Sequence, residues 1–335
     1  MSISIVHSLP EAEWRAYVDQ HPRGNIFHTP EMFQVFARAQ SHKPDLWAAV
    51  QDGWPLALML PVQITLIEGL LRPFTTRNVI YGGVLSTSDS RGKAALALLL
   101  RSYIQEAKGS PLFSEIRNMS DQSDIQSVLV DHRFSFEDHL NFLVDLDQPE
   151  EIIWRNLNKT LKKEIQAAQR SGLIMEEIID LQGLTIGYKR LEQVFKRVRV
   201  PLPDFTLFQA AFEILSPKEM LKISIARAGE NYIGVNFILL YKGMIFGWYM
   251  GSDRAFASFH PDPLMVWHIL KWGKEHNYNL FDFGGAGRPN EVYGPRTFKA
   301  KFGGKLVNYG RSTCIHAPMK LKISRIGYQI VRKFL

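Results

Sequence analysis

The stretch FDFGGAGRPNEVYGPRTFKAKFGGKLVNYGR spans residues 281–311 and contains seven glycines and six basic residues, but only two acidic ones. Its first residues, 281–283, have the apolar character of the end of a buried strand. The glycines that follow, Gly284, Gly285 and Gly287, allow a sharp turn or a close approach of the backbone to a ligand. Because ligands usually bind at loops after the carboxyl ends of α/β strands, the stretch predicts a ligand-binding loop.

The second part of this stretch alternates between aromatic and basic residues. Residues 293–296 are predicted to form a rigid turn, and residues 297–302 an extended strand. In such a strand Phe298 and Phe302 would face one way and Lys299 the other, so that a basic row lies on a packed aromatic row. The spacing of the glycines matches neither the dinucleotide-binding pattern nor the P-loop pattern.

Outside this stretch, the two halves of the chain show the same order of elements. The first half has predicted strands at 46–50, 55–64 and 78–85, a helix at 92–107 and a strand at 112–118; the second half has strands at 221–228, 231–241 and 244–250, a helix at 263–275 and a strand at 280–283. A repeated order of this kind indicates a duplicated domain. We therefore predict an α/β (α+β) fold with two tandem domains, each a mixed sheet flanked by helices.

A predicted helix at 150–171 marks the start of the second domain. Ile153, Leu157, Leu161 and Ile165 recur every four residues and form one apolar stripe along it. The domain boundary is placed just before this helix, near residues 147–149. The predicted division is an N-terminal domain at 1–147, a C-terminal domain at 148–318 and a separate basic helix at 319–335.

The helix predicted at 319–335 is amphipathic and basic. Ile323, Ile326, Ile330 and Phe334 have helical spacing, and no acidic residue follows Glu291. The surrounding basic residues are Lys320, Lys322, Arg325, Arg332 and Lys333. Two interpretations fit this pattern: the helix lies on an anionic membrane surface, or it docks on its own domain with its basic side in water.

Composition and charge limit the function classes. Apolar residues make up 46% of the chain and charged residues 22%, which is ordinary for a globular protein. The single cysteine, Cys314, excludes an internal disulfide and a cysteine metal cluster. No histidine pair has metal-ligand spacing, so no metal site is predicted, and the N-terminus lacks a secretory pattern, so we expect a cytoplasmic protein.

The basic residues are concentrated in the second half of the chain. Residues 1–150 contain 12 basic and 18 acidic side chains, whereas residues 151–335 contain 28 and 15. Such a field favours an anionic partner such as phosphate, nucleic acid or a lipid headgroup. A solvated basic face without a partner is the alternative.

Several motifs resemble those of the Fem-type aminoacyltransferases and related members of the GNAT superfamily. FDFGGAG, YGPRTFKAKFGG and NYGR, within 281–311, look like the C-terminal signature of these proteins. GNIFHTPEMFQVF (24–36), TTRNVIYGG (75–83) and LNKTLKKEIQAAQRSGL (157–173) look like their other patterns, so the resemblance covers most of the chain. It implies two tandem GNAT-like domains, in agreement with the repeat.

The resemblance implies transfer of an acyl or aminoacyl group to an amine. Fem-type proteins extend the side chain of a peptidoglycan precursor with aminoacyl-tRNA as donor, and their FK lysine, which lies near the reacting carbonyl, matches Lys299 beside Phe298. Alignment of the reactants and a fixed cation or amide donor at the carbonyl oxygen are what such a reaction needs. Lys299, with N–H groups of the glycine loop (Gly284, Gly285), is the candidate for that cation, and a strand lysine in solvent is the alternative.

Two further residues of the stretch are candidate catalytic groups. Asp282 takes or orients the proton of the attacking ammonium, or instead caps the glycine loop. Tyr293 donates to the leaving oxygen, or instead packs within its turn. Activated esters need no strong protein nucleophile, which suits a sequence without a convincing Ser-His-Asp or Cys-His arrangement.

The remaining candidates are substrate-binding residues. Arg77 is predicted to hold a phosphate of the acceptor in the cleft between the domains. Arg288 and Arg296 bind phosphate bidentately or pin the loop. Trp248 and Tyr249 line the cleft or pack in the sheet.

The donor is left open between aminoacyl-tRNA and acyl-CoA, each as a co-substrate and neither as a tightly bound cofactor. GNAT enzymes that use acetyl-CoA usually carry an R-x-x-G-x-G/A pyrophosphate loop, and the corresponding segment here reads SDRAFASFHPDP (252–263). The expected partners are an anionic cell-envelope precursor, a peptidoglycan or polysaccharide intermediate, together with tRNA and an anionic membrane surface at the inner face of the cell membrane. The alternative functions are a non-catalytic RNA- or membrane-binding module on a GNAT scaffold, and an acyl-CoA N-acyltransferase outside wall synthesis.

Overall fold

The computed structural model describes residues 2–109 and 111–334 and, in the last helix, the side chains as far as Gly327. Within them the chain divides into two units. Unit 1 consists of the described residues up to Asp138 and from Tyr309 onward, and unit 2 of His139–Asn308. The divisions therefore fall at 138/139 and 308/309, whereas the predicted boundaries lie at 147/148 and 318/319.

The first segment of unit 1 contains nine strands and four α-helices among the described residues. These are β1 Ser4–Val6, α1 Glu11–Gln20, α2 Pro30–Arg38, β2 His42–Pro44, β3 Trp47–Gln51, β4 Trp54–Met59, β5 Pro61–Thr65, β6 Thr76–Gly82, β7 Leu85–Ser86, α3 Ser90–Glu106, β8 Phe113–Asn118, α4 Gln126–Asp131 and β9 Ser135–Glu137. Short 3-10 helices lie at Ile26–His28, Gly69–Phe74 and Ser123–Ile125.

Unit 2 follows without interruption. Its elements are β10 Leu140–Asp145, α5 Glu150–Asn156, α6 Lys159–Arg170, β11 Ile174–Glu177, α7 Leu181–Val198, α8 Phe205–Leu215, β12 Leu221–Ala228, β13 Asn231–Tyr241, β14 Met244–Ser252, α9 Pro261–Glu275, β15 Leu280–Gly285, α10 Gly294–Ala300 and β16 Lys305–Asn308, with 3-10 helices at Ser216–Lys218 and Arg254–Phe259. The chain then returns to unit 1 with β17 Arg311–Ile315 and α11 Pro318–Phe334.

The two units share one strand-pairing pattern, which confirms the predicted duplication. In unit 1 a sheet has the order β2-β5-β6-β8-β17-β9, beside a smaller sheet β1-β3-β4-β7. In unit 2 the order is β11-β12-β13-β14-β15-β10-β16. The run β5, β6, β8, β17, β9 pairs antiparallel, parallel, antiparallel and antiparallel. The run β13, β14, β15, β10, β16 repeats that series.

Each parallel pair is joined by a helix that covers the sheet. Between β6 and β8 this helix is α3. Its N-cap residue is Asp89, and the side chain of Asp89 accepts a hydrogen bond from Gly92 N. Between β14 and β15 it is α9, which buries Met265 and Leu270 completely. The stripe predicted on the helix at 150–171 is also buried, at Leu161 and Ile165 for example, so apolar burial along these stripes drives each core together.

Two predicted elements are each split in the structure. The helix predicted at 150–171 is broken between α5 and α6. The backbone of Asn158 leaves the helical conformation there, and its side-chain oxygen accepts a hydrogen bond from Thr160 N at the start of α6. The strand predicted at 55–64 is broken at Leu60, and its halves, β4 and β5, belong to different sheets.

The predicted strand at 297–302 is wrong. Residues 294–300 form the short helix α10, with Pro295 in its first turn. Proline is favoured there because its fixed φ suits a helix start and its missing N–H would have no partner anyway. Lys299 therefore projects from a helix and not from a basic strand face.

No helix in the described chain combines the length and apolar character that a membrane crossing requires.

Candidate active site

The parallel strands β14 and β15 pair only at their first three residues. Met244, Ile245 and Phe246 pair with Leu280, Phe281 and Asp282, although both strands continue beyond this point. Trp248 is an extra residue in β14, since Gly247 and Tyr249 pair with consecutive residues of β13. A bulge of this kind bends the strand. The end of the pairing leaves backbone groups of β14 without a partner on β15, which suits binding of an extended ligand.

Asp282 lies where the pairing ends and is completely buried. Its Oδ1 accepts hydrogen bonds from Asn141 Nδ2 at 2.6 Å and from Gly284 N at 2.7 Å. Burial raises the pKa of Asp282 to about 6, while these two hydrogen bonds and the charge of Lys299 act in the opposite direction. Its Oδ2 has no hydrogen-bond partner among the described residues. The geometry matches the capping role for the glycine loop; the proton-transfer role stays a prediction.

Lys299 reaches from α10 to the end of β15. Its Nζ donates to the carbonyl oxygens of Phe283 and Gly285, both at 2.8 Å, and of Gly284 at 3.3 Å. Burial lowers the pKa of Lys299 to about 8, and the Asp282 carboxylate opposes this shift. The ammonium is thus turned into the glycine loop, and the alternative of a lysine in solvent does not describe it.

Asp282, which is buried, and Lys299, which is half-buried, are therefore opposite charges that act on each other and whose pKa values lie close to neutrality. An acid with a raised pKa next to a base with a lowered one is typical of sites that handle protons near pH 7. At pH 7 both groups are mainly charged. Three carbonyl oxygens already accept hydrogen bonds from Lys299 Nζ, so a reacting oxygen would have to replace one of them. The carbonyl of Gly284 is the candidate, because its contact is the longest of the three at 3.3 Å.

Aromatic packing fixes α10 against β15. The ring of Phe298 lies 5.2 Å from that of Phe302, and Phe302 lies 5.3 Å from Phe283. Gly303 follows with φ +73°, and a Cβ there would lie 2.4 Å from the carbonyl oxygen of Asn156. Only glycine tolerates both conditions, so the Gly-Gly pair after the FK motif allows the close approach that positions Lys299.

The loop between β15 and α10 is held by Arg296. Its guanidinium donates to the carbonyl oxygens of Ala286 at 2.8 Å and Pro289 at 3.0 Å, and also to that of Arg288. This geometry matches the loop-pinning alternative. Arg288 is exposed, and Tyr293 is 37% exposed at the mouth of the same loop; phosphate binding and proton donation by these residues stay predictions.

Trp248 and Tyr249 belong to an aromatic cluster. Phe208 of α8 lies 5.6 Å from Trp248 and 4.9 Å from Tyr249, and Phe195 of α7 lies 5.8 Å from Tyr249. Both residues are half-buried. The packing of both residues in the sheet matches the second interpretation, and a role in lining a cleft stays a prediction.

Arg77 lies in unit 1, on a sheet face that carries two further arginines. Arg117 Nε and Arg311 Nη1 contact Glu115 Oε1 at 2.6 and 3.3 Å. Burial and the charge of Arg117 lower the pKa of Arg77, and its Nε is buried without a hydrogen-bond partner among the described residues. The charges of Arg117 and Glu115 both act on Arg77, and an added anion would offset the repulsion between Arg77 and Arg117.

Sequence reasoning missed Asn141, Arg117 and Arg311. Asn141 is a polar residue inside the apolar strand β10, which is the signal that could have singled it out. Arg117 and Arg311 lie far apart in sequence, and only the pairing of β8 with β17 brings them together. No group of three or more histidine, cysteine, aspartate or glutamate side chains in the described residues is arranged to hold a metal ion.

Comparison with known proteins places this site in a described domain class. Residues 155–299 match the family described as "Acetyltransferase (GNAT) domain". This segment includes the unpaired part of β14, Asp282 and Lys299. A search of curated proteins finds no match. The match confirms the predicted acyltransferase class.

Solved structures show the same fold over nearly the whole chain. A crystal structure of FemX has a TM-score of 0.73 and 15% identity, over 96% of this chain and 100% of that one. A C-terminal domain of a putative lysylphosphatidylglycerol synthetase from Agrobacterium fabrum has 0.57 and 14%, over 96% and 95%. A tandem GNAT protein from the clavulanic acid biosynthesis pathway has 0.59 and 10%, over 94% and 99%. The predicted resemblance to tandem GNAT folds is confirmed.

Proposed function

We propose that this chain is an N-acyltransferase that moves an acyl or aminoacyl group from an activated ester to an amine of a cell-envelope precursor, a peptidoglycan or polysaccharide intermediate. The GNAT domain at 155–299 supports acyl transfer. The name of the putative lysylphosphatidylglycerol synthetase supports an aminoacyl group and an envelope acceptor, and the fold shared with FemX agrees with the Fem-type resemblance. The observation that carries the proposal is the pair of the buried Asp282 and the half-buried Lys299 where β14 and β15 separate.

In this reaction the neutral amine attacks the carbonyl carbon of the donor, a C–N bond forms, and the C–O or C–S bond to the leaving group breaks. Negative charge develops on the carbonyl oxygen in the transition state, where a fixed cation stabilises it. Lys299 supplies that cation once the oxygen replaces Gly284 O as a partner. The carbonyl oxygens of Phe283 and Gly285 hold Lys299 in place in advance, which reduces the reorganisation that the reaction needs.

Lys299 also suits the proton transfers. The attacking nitrogen becomes an ammonium and must lose a proton, and the leaving oxygen or sulfur must gain one. A group with a pKa of about 8 gives a proton to the leaving group and recovers one from the ammonium without being trapped in either state. Asp282 is completely buried, so the role that we assign to it is electrostatic: its charge raises the pKa of Lys299 and keeps the ammonium protonated.

The start of α9 favours aminoacyl-tRNA over acyl-CoA as donor. Backbone N–H groups at a helix N-terminus are what a pyrophosphate needs. Here Pro261 and Pro263 lack N–H groups, and Asp262 adds a carboxyl between them. Burial raises the pKa of Asp262. An anion bound at the start of α9 would meet few backbone N–H donors and would lie close to the Asp262 carboxyl group.

One observation favours the non-catalytic alternative. All three N–H groups of Lys299 have carbonyl partners, as expected of a lysine that only holds a loop. Turnover decides between the two functions: a binding module never produces an acylated acceptor.

The proposed function is tested by mass spectrometry of lipid-linked and nucleotide-linked envelope intermediates, from cells with and without the protein and from reactions with charged tRNA or acyl-CoA. We expect an added acyl or aminoacyl mass that requires the chain, and more product with charged tRNA. The affinity for tRNA should fall steeply with salt, because phosphate contacts release counterions. Intermediates that are unchanged in cells and with both donors would contradict the proposal.

We expect Arg77→Gln to raise KM for the anionic acceptor roughly 10-fold or more with kcat nearly unchanged, because a hydrogen bond to a charged group contributes about 1.5–3 kcal/mol. The matched control is Arg91→Gln, since Arg91 is an exposed arginine of unit 1 whose guanidinium donates to the side chain of Gln51 at 2.9 Å. Equal KM values for both variants would exclude Arg77 from acceptor binding.

A further inference from the structure

An apolar patch lies uncovered on unit 1, formed by two segments distant in sequence. The first surrounds the 3-10 helix Gly69–Phe74, where Leu70 is 96% exposed and Leu66, Ile67 and Leu71 are about half-exposed. The second is α11, where Met319 is 82% exposed and Ile323 and Ile326 are about half-exposed. We call these seven residues the apolar patch. Single exposed apolar residues are normal, but a group of this size marks an interaction surface.

The two segments are held together. Ser324 Oγ donates to the carbonyl oxygen of Phe74 at 2.6 Å, and α11 packs against the 3-10 helix. Leu321 is buried at 7% exposure and, with Ser324, forms the face of α11 that docks on unit 1. The patch is thus a fixed surface of unit 1.

This arrangement turns the amphipathic stripe outward. Met319, Ile323 and Ile326 lie on one side of α11, roughly opposite Leu321 and Ser324. The helix α11 therefore docks on its own domain, but through Leu321 and Ser324 and not through the apolar stripe of its described side chains. Ile330, Phe334, Arg332 and Lys333, which the sequence also assigns to this helix, have side chains outside the described residues.

Basic residues surround the patch. Arg72 lies in the first segment and Lys320, Lys322 and Arg325 in the second; Glu68 is the one acidic residue in 66–74 and 317–327. Arg72 is paired with Glu68 at 3.8 Å, so a second copy of the chain seated on this patch by two-fold symmetry would bring the three cations named on α11 close to the same three of its partner. An anionic lipid surface instead accepts the leucines among its acyl chains and the cations among its headgroups.

We propose that the apolar patch docks unit 1 on an anionic lipid bilayer, with Leu70 and Leu71 inserted beside the outward stripe of α11. The fully exposed Leu70 sits next to Gly69, whose φ of +75° turns the backbone so that the leucine projects. This surface does not involve the Asp282–Lys299 pair, so the inference stands independently of the proposed reaction.

The test is co-sedimentation of the full chain with vesicles of phosphatidylcholine alone or mixed with phosphatidylglycerol, at low and moderate salt. We expect binding to the mixed vesicles only. The double variant Leu70→Ser/Leu71→Ser should reduce the partition coefficient about tenfold or more, and Lys322→Gln/Arg325→Gln should weaken binding and its salt dependence. Both pairs are exposed, so folding should be unaffected, which circular dichroism checks.

The matched control is Ile179→Ser, because Ile179 is an 80% exposed apolar residue of unit 2. We expect it to bind vesicles as the unchanged chain does. The proposal is overturned if mixed vesicles bind no protein, or if the double leucine variant binds normally, since the chain's basic charge alone would then account for adhesion. A dimer in light scattering that the leucine substitutions dissociate would overturn it too, as the patch would be a contact between copies.

Discussion

Replacing Lys299 by alanine should lower kcat for acyl transfer by roughly 10²–10³-fold, because loss of one fixed donor to a developing oxyanion costs about 2.7–4 kcal/mol. KM for donor and acceptor should change only a few-fold, since Lys299 acts on charge that appears during the reaction. The measurement is steady-state turnover with the donor identified by mass spectrometry. Lys299→Met should behave like alanine, because it keeps the length of the side chain without the charge.

The matched control is Lys301→Ala, two residues along the chain, where the ammonium lies 3.9 Å from Glu164. We expect nearly normal kcat for this variant. Lys299→Ala also leaves the Asp282 carboxyl buried without its cation, which destabilises the fold. The double variant Asp282→Asn/Lys299→Ala should therefore regain thermal stability but not turnover. If turnover returned with stability, Lys299 would have only a structural role.

The pH profile of kcat/KM should have an alkaline limb near pH 8, because Lys299 loses the proton that it donates above this pH. Protonation of Asp282 below pH 6 leaves Lys299 charged, since low pH itself favours the ammonium form. In Asp282→Asn the alkaline limb should move to lower pH, because the carboxylate raises the pKa of Lys299. Each unit of that movement below the assay pH costs about tenfold in the charged fraction.

Stability offers an independent readout of the same variant. The folded pKa of Asp282 is raised from 3.8 to about 6, so the native state binds more protons in this range and stability falls as pH rises through it. The folded pKa of Lys299 is lowered from 10.5 to about 8, so stability rises from pH 8 upward. The pair contributes least between pH 6 and 8. Asp282→Asn should remove the acidic part of this dependence; an unchanged activity profile and an unchanged stability curve would contradict the pairing.

The repeated architecture could be predicted because alternating apolar residues and glycine turns are local signals. The strands β12, β13 and β14 follow the predicted positions closely, and the helices α3 and α9 lie where the sequence places them. The boundary between β4 and β5 at Leu60 could not be predicted, because it lies within an apolar run and nothing in the composition marks the change from one sheet to the other. The break at Asn158 had a local signal, an asparagine able to cap a helix.

The error at 297–302 has a specific cause. Phe298 and Phe302 are four residues apart, so they share a face in a strand and also in a helix, and the pattern alone cannot distinguish the two. Gly294-Pro295 was the deciding signal, because it starts a helix well. The carbonyl partners of Lys299 lie 14 to 16 residues before it in sequence, and only the folded chain shows that they meet its ammonium.

The return of the chain to unit 1 has a consequence for biosynthesis. Strand β17 lies between β8 and β9, and β9 has no other strand partner in its sheet. A ribosome completes the whole of unit 2 before it releases residues 311–315, and domains generally fold as units during translation. The unit that is begun first is therefore finished last, and its largest sheet lacks this strand until after unit 2 has been synthesised.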